Sequence, residues 1–233
     1  MPCTLPASLA DAAVCRGSFH AVLGGEAGEA VFADFSAALQ KAQAEGRILT
    51  ASLFRYENHL FFYAEGLNRP FTPQGLCPAL DAALLPWPPA LGETAPRPWA
   101  AMQPYFYHDV PTTAADWQQG RCPQRRRGRI ALLPPDSWCS YMEHHLRIVT
   151  EGLVEGDRWH LICVQEVVLF SYLEEPRTNV NIKHRPGAHS PELDAWIAAD
   201  PESHFARFTP EQKAHPDSGH NFVFLPRIAG TED

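Results

Sequence analysis

The chain has 233 residues, 45% hydrophobic, 20% charged and 11% aromatic, which is enough to bury a substantial core and excludes a disordered, fibrous or coiled-coil protein. The formal charge is −8, from 27 acids against 19 bases, and argues against generic attraction to nucleic acid or to an anionic membrane surface. No apolar run approaches the roughly 18 residues that a membrane-crossing helix needs.

The first 19 residues lack a basic start followed by an apolar stretch, so no secretory signal is read and a cytoplasmic chain is expected. Cysteines stand at 3, 15, 77, 122, 139 and 163 with no CxxC pair, which predicts free thiols, Cys163 among them as a core residue. After an extension over 1–17, the pattern predicts a strand over 18–23, a helix over 27–45, strands over 48–55 and 59–65, a helix near 76–85 and a strand over 104–108. WPPALGETAPRPW (87–99) cannot continue a helix. Residues 109–128 read as a connector. The run RCPQRRRGR, with Arg121, Arg125, Arg126, Arg127 and Arg129, could hold a phosphate. Its Gln, Pro and Gly neighbours favour a solvated linker.

The order then repeats. IALL (130–133) is a short strand ending at Pro134-Pro135, and a helix is expected over 136–154, capped by Asp136 or Ser137. Trp138, Tyr141, Leu146, Val149 and Leu153 recur along it at helical spacing, and Gly156 is expected to end it. WHLICVQ (159–165) and VVLFSYLEE (167–175) form a tight hairpin, Ser190-Pro191 opens a second helix that stops before Pro201, and 222–225 is a last strand.

This is an internal repeat. A shift of 110 places FHAVLGGE (19–26) over RIALLPPD (129–136) and AEGR (44–47) over VEGD (154–157). A shift of 109 places LFFYAE (60–65) on LFSYLE (169–174), and one of 113 places PALDAAL (78–84) on PELDAWI (191–197). Four blocks in one order predict a duplication, each copy with βαββαβ order, the ferredoxin-like split motif. The fold class expected is α+β: two tandem ferredoxin-like units, 18–108 and 129–233.

A helix carrying Tyr141-x-x-x-His145, followed by a hairpin whose second strand reads LFSYLE, resembles the L-rhamnose mutarotase family. More broadly it is similar to the dimeric α/β-barrel superfamily, in which two half-units pair their sheets. The resemblance implies a fused pseudo-dimer on one chain, a monomer with pseudo-two-fold symmetry. Ile148 and Glu151 match the family's helix, whereas Val149-Thr150 replace its Trp-Pro and Phe205-Ala206 its Trp-Trp.

That resemblance implies sugar anomer interconversion by acid–base ring opening, an isomerase activity. His145 would move the proton and Tyr141 would orient or donate, since residues four apart share one helix face. The corresponding first-copy residues, Val31 and Phe35, cannot transfer a proton, so the second copy is expected to carry the site. Tyr172 and Glu174 share one face of their strand, and with Phe205 and His160 they are the candidate substrate-binding residues. No metal is expected, because His144 and His145 are adjacent and HExxH is absent; His184 and His189, flanking RPGA in a polar loop, could be a ligand pair but more often such a pair is not. No cofactor is expected either: GxGxxG, GxxxxGK[ST] and GxSxG do not occur. The partner expected is a small molecule, a sugar. The alternatives are a non-catalytic sugar-binding module and a cofactor-free oxygenase or haem binder.

Overall fold

The computed structural model describes residues 6–177, 182–212 and 221–231. In chain order, its first elements are β1 (Val14–Leu23), α1 (Glu29–Ala44), β2 (Ile48–Tyr56), β3 (His59–Leu67), α2 (Pro78–Ala83), β4 (Leu84–Leu85), β5 (Ala100–Phe106) and α3 (Ala114–Gln118). There follow β6 (Arg125–Leu132), α4 (Pro135–Glu151), β7 (Val154–Glu155), β8 (Leu161–Gln165) and β9 (Val168–Glu175). The last are β10 (Lys183–His184), α5 (Pro191–Ala198), β11 (Val223–Leu225) and β12 (Arg227–Gly230). Antiparallel sheet and helices make it an α+β protein. No helix among the described residues is long and apolar enough to cross a membrane.

The chain divides into two compact units. The first holds residues 6–102, 111–123 and 226–231, and its antiparallel strands lie in the order β5, β1, β3, β2, β12. Residues 100–102 of β5 pair with β1 there, and β12 pairs with β2. Alternation along β2 and β3 and the apolar stripe of α1 build one core, in which Phe35, Leu39, Leu53 and Phe62 are buried and Val31 packs partly exposed. Glu65 is fully buried at the polar end of β3. It accepts from Arg121 at 2.7 and 3.0 Å, from Trp117 Nε1 at 3.0 Å and from Tyr63 at 2.7 Å. Burial pushes its carboxyl up, and the Arg121 charge with these hydrogen bonds more than reverses that, leaving it below the usual value.

The second unit holds residues 103–110, 124–177, 182–212 and 221–225, with strands in the order β11, β6, β9, β8, β5; here residues 103–106 of β5 pair with β8. Its core joins Tyr105, Phe106, Tyr141, Ile148, Val164 and Trp196. Helix α4 starts at Pro135, where a missing N–H is harmless, with Asp136 in the first turn. It stops at Gly152, not at the expected Gly156, because Gly152 takes the left-handed conformation (φ +67°) and its N–H bonds back to Ile148. The buried face also differs from the expected one. Tyr141, Met142, His145 and Ile148 point inward, whereas Trp138 and Leu146 are 37% and 49% exposed. At the start of α5, Ser190 Oγ accepts from the Leu193 N–H at 3.0 Å, the expected cap.

Both hairpins turn on two residues, Glu57-Asn58 and Glu166-Val167, and the leading Glu has positive φ in each (52° and 54°). The arginine run is not a solvated linker. Strand β6 begins at Arg125, and Arg121 and Arg127 are buried. Register explains it: Arg126 lies opposite Glu174 and pairs with it at 3.5 Å, while Arg127 reaches Glu175 at 3.1 Å. Cys77 is buried in the first unit and Cys163 in the second, and Cys122 and Cys139 are exposed; all four are free thiols. Cys3 lies outside the described residues.

Candidate binding site

Tyr141 and His145 occupy successive turns of α4, their ring centroids 4.2 Å apart. His145 Nδ1 lies 2.9 Å from the Tyr141 carbonyl oxygen. A carbonyl only accepts, so Nδ1 carries the proton and the neutral ring keeps its lone pair on Nε2. Phe106 at 4.7 Å, Trp196 at 4.6 Å and Tyr105 at 5.5 Å box the imidazole edge-on. Burial in that box pulls the His145 pKa down to about 4; the Tyr141 hydrogen bond opposes the shift, and the neighbouring histidines His144, His204 and His108 reinforce it. Burial likewise pushes the Tyr141 phenol well above its usual value, against the influence of the nearby Tyr105 hydroxyl and the Arg129 charge.

These two residues line a cavity of about 350 Å³ inside the second unit, a size suited to a small organic molecule. His160 and Phe205 line it too, so four of the six expected site residues meet there. Tyr172 and Glu174 are not among its lining residues. Both are buried in β9, where the Tyr172 hydroxyl donates to Glu174 at 2.6 Å and Glu174 pairs with Arg126. They repeat the Tyr63–Glu65 arrangement of the first unit.

Aromatic rings form one part of the wall. Tyr141 meets Phe205 at 5.0 Å and Trp196 at 5.2 Å, and Phe205 meets Phe222 at 5.0 Å. His108 reaches the cavity because it lies against Gly156, where an added Cβ would fall 2.0 Å from the ring. Burial lowers the His108 pKa to about 4, despite the nearby Asp109 and Asp157 carboxylates. Asp157 is engaged by Arg177 at 3.0 Å.

Sequence reasoning placed Arg129 in the solvated run, yet it lines this cavity. Its guanidinium stacks over Phe222 at 4.3 Å. Burial and the Arg177 charge lower its pKa to about 10, with Tyr141, Tyr105 and Glu202 opposing, so it stays charged at neutral pH. Elsewhere in the unit, His184, His189 and Asp194 bring their donor atoms within 4.8 Å of one another, the one such group among the described residues. None of the three lines the cavity. His184 Nδ1 accepts from the Ser190 N–H at 3.1 Å, so the neutral ring carries its proton on Nε2, 3.5 Å from Asp194.

No family model and no curated protein matches the chain. Three solved structures are similar to it. A putative monooxygenase from Lactobacillus acidophilus NCFM is 7% identical, with 94% of this chain and 96% of that chain covered and a TM-score of 0.38. A putative monooxygenase from Fusobacterium nucleatum subsp. nucleatum is 10% identical, with 95% of each chain covered and a TM-score of 0.41. An anthrone oxidase-like protein is 8% identical, with 92% of each chain covered and a TM-score of 0.38.

Their names run against the expectation of a sugar isomerase, which is not carried further. The site explains why in physical terms. Ring opening needs a base and an acid poised near working pH, whereas burial holds His145 at about 4 and drives Tyr141 upward, so both are poorly matched to the proton transfer.

Proposed function

We propose that the protein binds a compact, flat organic molecule in the cavity of the second unit. The observation that carries this reading is the wall itself: Phe106, Tyr141, Trp196, Phe205 and Phe222 around about 350 Å³, with His145 fixed in one tautomer among them. Flat aromatic or conjugated molecules stack on such rings. The wall also carries Arg129, Asp157, Arg177 and Glu202, so the ligand bears polar groups on its flat body. Tyr141, His145, His160 and Phe205 are the contact residues in this reading. His145 Nε2 accepts a hydrogen bond from a ligand hydroxyl and does not act as a strong base.

The reading includes a duplication of ferredoxin-like units, with the site in the second and a structural first. Its support is the shared spatial order of returning, first, third and second strands, β5-β1-β3-β2 and β11-β6-β9-β8. Further support comes from the matching Tyr63–Glu65 and Tyr172–Glu174 bonds and the paired Glu-led turns. Val31 and Phe35 sit where Tyr141 and His145 would fall, among apolar neighbours.

The test is a titration of flat arenes and of free sugars against the full chain, followed by tryptophan fluorescence and by the His145 imidazole NMR signal. Arenes are expected to move both signals and to raise thermal stability, by about 2.7 kcal/mol at a hundredfold excess over Kd. Sugars that move the His145 signal while no arene does would reverse the reading.

A further inference from the structure

Resting on the binding reading above, we propose that the ligand of this cavity carries an anionic oxygen on its aromatic body, and that Arg129 is the residue that anchors it. The argument begins with the strand register. β6 lies antiparallel to β9, whose last residues are Glu174 and Glu175, so Arg126 and Arg127 find carboxylates at 3.5 and 3.1 Å. Arg129 lies two residues further along and opposite Ser171, where β9 offers no acid. Arg177, the other cavity arginine, is bound to Asp157 at 3.0 Å.

Arg129 is left differently. Its Nε is buried without a hydrogen-bond partner, and among the described residues no carboxylate pairs with it. Glu202, another residue of the cavity wall, acts on it electrostatically without an ion pair; its carboxylate, still charged, and at 3.2 Å its carbonyl oxygen accept from Asn221 Nδ2. Buried charges are ordinarily paired, and a cavity-wall guanidinium with no ion pair among the described residues is an arrangement that a ligand anion completes.

The surroundings define what completes it. The planar guanidinium fork matches a carboxylate through two parallel hydrogen bonds, or a single phenolate oxygen through one or two. Phe222 lies beneath the cation at 4.3 Å, and Phe205 meets Phe222 edge-on at 5.0 Å. A ring joined directly to the anionic oxygen therefore packs against these aromatic side chains while the charge meets Arg129. His145 Nε2 remains as an acceptor for a ligand hydroxyl elsewhere in the cavity.

The experiment compares charged and neutral arenes of like shape by calorimetry on the full chain at pH 8.5. The pairs are 2-naphthoate against 2-naphthalenemethanol and 4-nitrophenolate against 4-nitroanisole. A charge-assisted pair predicts that at least one anion binds about tenfold or more tightly than its neutral partner. Preference for naphthoate alone assigns a carboxylate, preference for nitrophenolate alone a phenolate, and preference for both the shared anionic oxygen. Arg129→Met should bring the ratio to about one by weakening the anion far more than its neutral partner. If that variant loses the neutral probes as well, Arg129→Lys decides, because keeping the charge should keep part of the preference. Equal affinities in the unmodified protein overturn the anchor and leave the cavity reading standing. Failure of all four arenes to bind overturns both.

Discussion

Acid should loosen the second unit through one imidazole. Burial among Tyr105, Phe106, Tyr141 and Trp196 pulls the His145 pKa from 6.5 to about 4. An unfolded chain takes up that proton as pH falls through 6.5, and the native chain refuses it until about 4. His145 therefore favours the folded state fully above pH 6.5 and progressively less down to pH 4. The gap amounts to about 3 kcal/mol, a large part of the roughly 5–15 kcal/mol that holds a typical domain together. Urea unfolding at pH 7.5 and 4.5 measures it, with His145→Phe as the reference, since a phenyl ring suits the same aromatic box. His59 and His108 are also lowered by burial and steepen the acid loss in both proteins, so the difference between them isolates His145. The unmodified protein should lose most of that 3 kcal/mol in excess of the variant. Equal acid losses, or an NMR titration of His145 near 6.5, would refute the reasoning.

Arg121→Met leaves the Glu65 carboxylate buried without its charge partner and should destabilise by about 3–5 kcal/mol in denaturant unfolding; adding Glu65→Gln should recover part of the loss. Gly66→Ala places a Cβ 2.3 Å from the Arg69 carbonyl oxygen, a backbone atom that cannot swing aside, so a loss of about 3 kcal/mol is expected by the same measurement. Gly156→Ala puts its Cβ first against the His108 ring, a side chain that can rotate away; stability should fall by about 1 kcal/mol, while the His108 NMR signal moves toward its exposed position and arene binding weakens. Tyr172→Phe removes a buried hydrogen bond to Glu174 and should lower stability by about 1 kcal/mol with arene affinity unchanged in calorimetry.

Much of the fold was legible because its signals are local. The hairpins announce themselves by period-two alternation closing on two-residue turns, and both were expected within two residues of Ile48–Leu67 and Leu161–Glu175. Helix α1 follows its stripe of Phe32, Phe35 and Leu39. In α4 the large apolar residues Trp138 and Leu146 suggested a face that the fold leaves outside, because Met142 and the hydrogen-bonded His145 fill the inner one. Spacing four apart did bring Tyr141 and His145 together. Arg129 was hidden for a non-local reason. An arginine run looks solvated until the β6–β9 register shows which members reach an acid, and Gly128 between Arg127 and Arg129 masks the strand's alternation. Strand β12 was equally invisible, since its four residues belong to a strand only by pairing with β2, more than 170 positions earlier.

The placement of the thiols gives each unit a clock of its own. A thiol reagent added to the native protein meets Cys122 and Cys139 at the surface at once. Cys77 and Cys163 react only when the surrounding unit opens. Mass spectrometry that resolves the two inner sites over time therefore reads an opening free energy for the first unit from Cys77 and for the second from Cys163. A cavity ligand should slow the modification of Cys163 more than that of Cys77. The burial of Cys77 and Cys163 in different units thus lets one labelling time course weigh the two halves of the molecule separately, with no residue introduced.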